Sequence, residues 1–156
     1  MGIKVKTNID FTKVKEAFLE KINGRVIKAF ALSCKEAVNY AKENKGYTVQ
    51  SGALSASTGF QLYQDGNLIE EYFETDPIGK EEGEKGLSTG KKVASASAAE
   101  LDAPIVAVIV AGMPYAIYVE SKGKDVLTGA TLQLPSILSK NLETMFSGTG
   151  VSFEIQ

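Results

Sequence analysis

Residues 11–45 read FTKVKEAFLEKINGRVIKAFALSCKEAVNYAKENK. Phe11, Val14, Phe18, Ile22, Val26, Phe30, Ala37 and Ala41 recur at spacings of three, four and seven, the repeat of one apolar helix face. Lys13, Lys15, Glu16, Glu20 and Lys21 fill the other faces, and Val38 and Tyr40 widen the apolar face near the end. Asn8, Asp10 and Thr12 offer start chemistry, because a short polar side chain can accept from the free N–H groups of a first turn. Asn23-Gly24 is a candidate kink, since glycine costs ~1 kcal/mol relative to alanine inside a helix. Gly46 is the expected stop. A helix from Phe11 to Lys45 is ~50 Å long at ~1.5 Å per residue. That is long for a chain of 156 residues, so part of it is expected to pack on a sheet wrapped along it or on another subunit.

Upstream, Ile3 and Val5 alternate with Lys4 and Lys6, which predicts a short strand over Ile3–Thr7. Downstream, Tyr47–Ser55 reads as a polar linker. Phe60, Leu62 and Tyr63 then precede Asp65-Gly66, and Leu68, Ile69, Tyr72 and Phe73 follow it. Asp-Gly between strand-like runs predicts a hairpin, because the tight turn needs positive φ. Residues 74–103 hold four glycines, scattered Lys and Glu, and the low-complexity piece Ala94–Ala99. Too few large apolar groups are present to offset ordering entropy, so a long mobile loop is expected, with a helical turn near Ser97–Leu101.

Ile105–Ala111 is β-branched and nearly continuous, as in a strand covered on both faces. Gly112-Met113-Pro114 bends the chain, Tyr115–Glu120 is expected as a further strand, and Ser121–Gly129 as a polar loop. Pro135 suits a first helical turn, which predicts a helix over Ser136–Phe146 with Ile137, Leu138, Leu142, Met145 and Phe146 as its stripe. Val151, Phe153 and Ile155 alternate as in a last strand. The elements assemble into one α+β domain over residues 1–156. Its mostly antiparallel sheet has a long N-terminal helix and a shorter C-terminal helix packed on one face.

Composition narrows the chemistry. Hydrophobic residues make up 44% and charged residues 23%, as in ordinary globular domains. The net charge of −2 argues against specific nucleic-acid binding, which usually needs a basic face. Met1–Lys28 carries a charge every few residues and does not resemble a signal peptide. The longest apolar run, Ile105–Ala111, is far short of the ~18 residues of a membrane span. The chain has no histidine, which removes Ser-His-Asp and Cys-His nucleophiles and histidine zinc sites. The one cysteine, Cys34, excludes an internal disulfide and is expected as a packed small apolar group within the helix.

Gly83–Lys92 superficially resembles a phosphate loop, but its spacing fails: the residue five before Gly90 is Lys85, and Lys92 stands where a Ser or Thr hydroxyl is needed. Ser88-Thr89-Gly90-Lys91 matches Ser-x-x-Lys, as does Ser121-Lys122-Gly123-Lys124, and that acyl-transfer chemistry requires a buried neutral lysine. Glu70, Glu71, Glu74 and Asp76 are expected on a solvent-facing strand and the loop beyond it rather than as an acid–base pair. Tyr47, Tyr63, Tyr72, Tyr115 and Tyr118 suit a binding surface and a core equally. No cofactor or metal is expected, and the chain reads as a non-enzyme.

Two segments carry a resemblance. Ser51-Gly52-Ala53-Leu54-Ser55-Ala56-Ser57, directly after a long helix containing Ala41-Lys42, is similar to a Thr-Gly-x-Leu-x-x-Ser stretch. Tyr115-Ala116-Ile117-Tyr118-Val119-Glu120 is similar to Tyr-Ala-x-Tyr-Val-Glu. Both stretches occur in the siphophage tail-component family typified by the tenth gene product of an HK-type phage. The resemblance runs loosely from Phe11 to Phe146 and includes the helix after Leu134-Pro135. The chain departs from the family in having Val49-Gln50 before Ser51, Ser121–Lys124 after Glu120, and a longer 74–103 segment.

The resemblance implies a structural subunit that completes the tail or joins it to the head. Such a subunit sits in the virion tail or neck after assembly in the bacterial host cytoplasm. Its partners would be its own copies, in a ring that is often hexameric in that setting, and neighbouring tail-tube or head-connector proteins. Ser51, Gly52, Leu54, Tyr115, Tyr118 and Glu120 are the expected motif and interface residues. The alternative is a small non-enzymatic protein-binding adaptor, and neither reading calls for a membrane.

Overall fold

A computed structural model describes residues 10–79 and 82–150. Helix α1 spans Phe11–Glu43, and the side chain of Asp10 accepts from the backbone N–H groups of Thr12 at 3.1 Å and Lys13 at 3.3 Å. Among the three start candidates Asp10 is therefore the cap. The helix continues through Asn23-Gly24 unbroken. It ends at Asn44, whose backbone N–H and side-chain amide both donate to the carbonyl of Tyr40. Gly46 is not the stop. It is small because residues 124 and 125 lie against it, where a Cβ would meet the Asp125 nitrogen at 2.5 Å.

After a short helix α2 (Ala53–Ala56), strands β1 (Thr58–Gln64) and β2 (Asn67–Phe73) form the expected hairpin. Asp65 at φ 49° and Gly66 at φ 79° supply its two left-handed turn positions. Strand β3 (Ile105–Ala111) pairs antiparallel with the other side of β1, so the sheet order is β2-β1-β3. Alternation along β1 sends Phe60 and Leu62 toward α1, where they are fully buried with Ala31, Cys34 and Val38. Each such side chain contributes about 2–3 kcal/mol by leaving water.

Helix α5 (Thr128–Met145) lies against α1 on the same side of the sheet. The fold is thus α+β, with the long N-terminal helix and the C-terminal helix on one side of an antiparallel sheet. Between the two helices, the buried Asn141 amide donates to Ser33 Oγ at 2.9 Å, and that hydroxyl donates to the Ala29 carbonyl at 2.6 Å.

Three further expectations need correction. The stretch 74–103 is not a mobile loop, because it contains helix α3 (Gly83–Ala99), packed on the sheet face opposite α1. Its buried residues are Gly83, Gly86, Gly90, Ala94 and Ala98, mostly four apart. A tally of large apolar groups misses this face, because the helix packs by backbone approach. A Cβ on Gly86 would meet the Ala53 carbonyl oxygen at 2.1 Å, and one on Gly90 the Ser57 carbonyl oxygen at 2.5 Å. Polar groups complete the layer. Buried Gln61 donates to Glu71 and accepts from Tyr63 and Ser95, and Lys91 pairs with Glu71.

The second correction concerns Tyr115–Glu120, which is not a strand: Ala116–Ser121 forms helix α4. Ala116 and Val119, three apart, turn inward, while Ile117 and Tyr118 turn out. Alternation would have placed Ile117 and Val119 on the same face.

The third concerns Pro135, which sits inside α5 rather than in its first turn. The extra upstream turns are held by side-chain acceptors at residues 120 and 125 and by Ala130 and Leu134 packing on Ala37, Tyr40 and Ala41. The strands expected at Ile3–Thr7 and Val151–Ile155 lie outside the described residues.

Two glycines test this reading. A Cβ on Gly24 would meet nothing within 4 Å, so Gly24→Ala is expected to stabilise by about 1 kcal/mol, raising Tm by roughly 2–4 °C. Gly90→Ala, against the Ser57 backbone, is expected to destabilise by about 1–3 kcal/mol. Thermal melts of the two variants, read by far-UV circular dichroism, should move in opposite directions.

Candidate functional site

The two motif segments meet in space. Ala53 and Leu54 of the first pack with Ala116 of the second, around Met113 and Val126. Above this small core lies a cleft of about 400 Å³, bounded by residues 47–52 and by Leu54, Ser55, Tyr115, Val119 and Lys124. Of the six expected residues, Ser51, Gly52, Leu54 and Tyr115 line it. Tyr118 and Glu120 do not.

Their roles differ. Leu54 is 7% exposed and belongs to the core as much as to the cleft. Gly52 has φ 82°, and a Cβ there would lie 1.8 Å from the Gly79 carbonyl oxygen, so it lets residues 78–79 cross the motif closely. The Ser51 carbonyl accepts from the N–H of Glu82 at 3.2 Å, which ties the start of α3 to the same place. Tyr115 is half in water. Desolvation pushes its phenol above the ordinary value, the nearby Glu82 carboxylate adds to this, and a hydrogen bond with Ser51 opposes it.

Glu120 is a structural clamp. Its Oε2 accepts from the N–H groups of Val126 at 3.1 Å and Leu127 at 3.0 Å, and its Oε1 accepts from Thr128 N–H at 3.3 Å. These are the free donors at the start of α5, where negative charge is favoured. Burial alone would raise its pKa. The hydrogen bonds from the Thr128 side chain and the three N–H groups outweigh that and hold the carboxyl below the ordinary value. Tyr118 is 63% exposed with Lys122 Nζ 5.1 Å from its ring centre, and Ile117 beside it is 82% exposed. Together they form an outward apolar patch.

Beneath the cleft the sequence reading missed a polar cluster. Asp76 accepts from Ser55 Oγ at 2.9 Å, Lys45 Nζ at 3.2 Å and the Ile78 N–H at 3.0 Å. Partial burial pushes this carboxyl up, but those three donors prevail and keep it below the ordinary value. Tyr47, near Asp76 and half-buried, is pushed up to about 12 by desolvation first and by that carboxylate second. Lys42 donates to the Glu74 carbonyl at 3.1 Å, and burial lowers its pKa against the pull of Glu74 and Asp76. The Asp76-Pro77 pair was the available signal, since Asp before Pro often starts a turn by bonding the backbone two residues on. The cluster locks the link between β2 and α3 onto the end of α1.

The remaining candidates come apart. Gly83–Lys92 lies within α3, so its glycines pack on Thr75, on Ala53 of α2 and on Ser57 and Phe73 and form no phosphate cradle. Lys91 is committed to Glu71, and Ser121 Oγ donates to the Tyr118 carbonyl. Glu71 is held below its ordinary value, first by the Lys91 hydrogen bond and, against some desolvation, by Gln61. Among the described residues no group of three or more His, Cys, Asp or Glu could hold a metal ion, and no helix is long and apolar enough to cross a membrane. Cys34 is 3% exposed, and burial pushes its thiol up to about 12, with Glu70 adding to this. The arrangement offers surfaces for binding. No protein-family model, curated protein or solved structure matches the chain.

Glu120→Ala is expected to cost about 2 kcal/mol in urea unfolding, since it leaves charge-assisted acceptors missing at the α5 start. A carboxyl held below its unfolded value stabilises fully above that value, about 4.3 for Glu, and loses the effect as pH falls through the folded value. The gap between wild type and Glu120→Gln should therefore narrow below about pH 4. Cys34 should react with a thiol reagent only as fast as the protein opens, so its labelling rate should rise with urea alongside unfolding.

Proposed function

We propose that this chain is a non-enzymatic structural subunit of a long-tailed phage or prophage, acting in tail completion or in the neck that joins head to tail, and assembling there as a ring. The observation that carries the reading is the union of the two family-like segments. Ser51–Ser57 and Tyr115–Glu120 build one unit that places Tyr115 at a cleft and Ile117 and Tyr118 outward.

The rest of the surface supports an assembly role. Val14, Phe18, Leu19, Ile117, Tyr118 and Leu132 are large apolar or aromatic groups, each more than 45% exposed. Ile117 and Leu132 border one groove, and exposed apolar groups gathered at one place mark interaction surfaces. An assembly subunit keeps such groups uncovered until its neighbours arrive. The partners are copies of this chain and the adjoining tail-tube or head-connector proteins, and the place of action is the virion.

Purified protein imaged by negative stain across a concentration series should give closed rings, with light scattering fixing the number of copies. Proteomics of purified particles from the encoding phage should recover the chain with the tail. Recovery only in a complex free of virion proteins would overturn this reading and favour the adaptor.

A further inference from the structure

Helix α3 packs on the sheet face opposite α1, yet little apolar burial holds it there. Among the described residues, no hydrophobic cluster includes a residue of α3. Its buried positions are Gly83, Gly86, Gly90, Ala94 and Ala98, so three of the five have no side chain to take out of water. Leu87 is only half-buried, and Val93 is exposed.

The helix is also weak along its own axis. Gly86 and Gly90 lie within it, and glycine is the poorest helix former after proline. Glu82, at its start, makes no side-chain cap bond. No basic residue stands in its last turn, and Glu100 adds a negative charge where the helix end disfavours it. The side-chain contacts to the sheet are polar and partly wet. Ser95 Oγ donates to Gln61 at 3.0 Å, and Lys91 and Glu71 pair with 38% and 33% of their side chains exposed. Ion pairs this open to water add little stability.

The chain on either side is held without α3. Before the helix, Asp76 is fixed by Ser55 and Lys45; after it, the Pro104 carbonyl accepts from Asp65 N–H at 2.9 Å. Strands β2 and β3 are both hydrogen-bonded to β1. The stretch between them is therefore a loop that the sheet has already closed, and melting α3 opens no strand pair. The core of Phe60, Leu62 and Val38 lies on the other face of β1 and contains no α3 residue.

We infer that α3 is a detachable cover: residues 83–99 leave the sheet and lose their helix as one unit while α1, α5 and the three strands stay folded. The opened form bares Gln61, Val106 and Val110, which are 2%, 8% and 8% exposed when α3 is seated. Gln61 bonds Ser95 of α3, and the β1–β3 register puts Val106 and Val110 on the same side of the sheet. One fold thereby has two surfaces, a polar helix when closed and a valine-lined sheet face when open. The inference stands apart from the virion reading, since it concerns the chain alone.

Amide hydrogen exchange of the full chain, resolved by NMR, tests it. Wild type and Val38→Ala are compared at zero and low urea, where exchange reports the opening equilibrium. Amides of 87–99 should exchange about 100-fold or more faster than those of 26–41 and of β1, as a local opening requires. Their rates should also respond less to urea, because a local opening exposes less surface than global unfolding does. Val38 is fully buried in the α1–β1 core, so Val38→Ala should speed exchange there about tenfold or more. It should leave α3 within about twofold of wild type, because that core is intact in the opened form.

Rates in α3 as slow as those in β1, or rising in step with them in Val38→Ala, would mean that the helix opens only with the whole protein, and would overturn the inference. Should Val38→Ala fail to fold, the urea dependence of wild type decides the same question. A slope for α3 equal to that of β1 would overturn the inference, and a shallower one would support it.

Discussion

The burial of Phe60 and Leu62 against Ala31, Cys34 and Val38 is the contact on which the other elements depend. It seats the central strand on the long helix, and β1 is the strand to which both others are hydrogen-bonded. Once β1 is placed, alternation sends Gly59, Gln61 and Tyr63 to the far side, where α3 must be received. That side has little room. Gly90 and Gly112 approach so closely that a Cβ on Gly112 would lie 2.6 Å from the Gly90 Cα. The two faces of one strand thus follow different physics: large side chains leaving water toward α1, and backbone approach with satisfied polar groups toward α3.

The same division explains how the motif region is held. Its core is small, so hydrogen bonds do much of the positioning. Asp76 gathers Ser55, Lys45 and the Ile78 amide under the cleft, and Glu120 gathers three amides at the start of α5. Each carboxylate is partly buried and each is held below its usual pKa by the donors around it. Charged side chains at these positions serve architecture. Beside these clamps Ile117 and Tyr118 stand exposed.

Helix α1 extends beyond this architecture. About half of it is the floor of the domain, and its first turns carry the same apolar line into solvent. The apolar line inferred from the spacing is longer than the part of it that α5 and the sheet cover among the described residues.

Much of this was legible in the residues themselves. The periodicity from Phe11 to Ala41 determined α1, Asp65-Gly66 determined the hairpin, and the β-branched run Ile105–Ala111 determined β3. These are local signals, in which side-chain spacing and turn chemistry leave one economical conformation. That the two motif segments share a core was not legible in the sequence. What tertiary structure decided was the state of α3, α4 and the first turns of α5. Helix α3 is small-sided and weak on its own, and it exists because β1 and α2 offer it a close backbone surface. Helix α4 spans an ambiguous apolar run that Met113, Leu54 and Val126 settle as a helix by burying Ala116 and Val119 together. Helix α5 starts before Pro135 because Glu120 and Asp125, supplied by the preceding loop and helix, satisfy its first amides. In each case the deciding partner comes from outside the segment, so no pattern within the segment could reveal it.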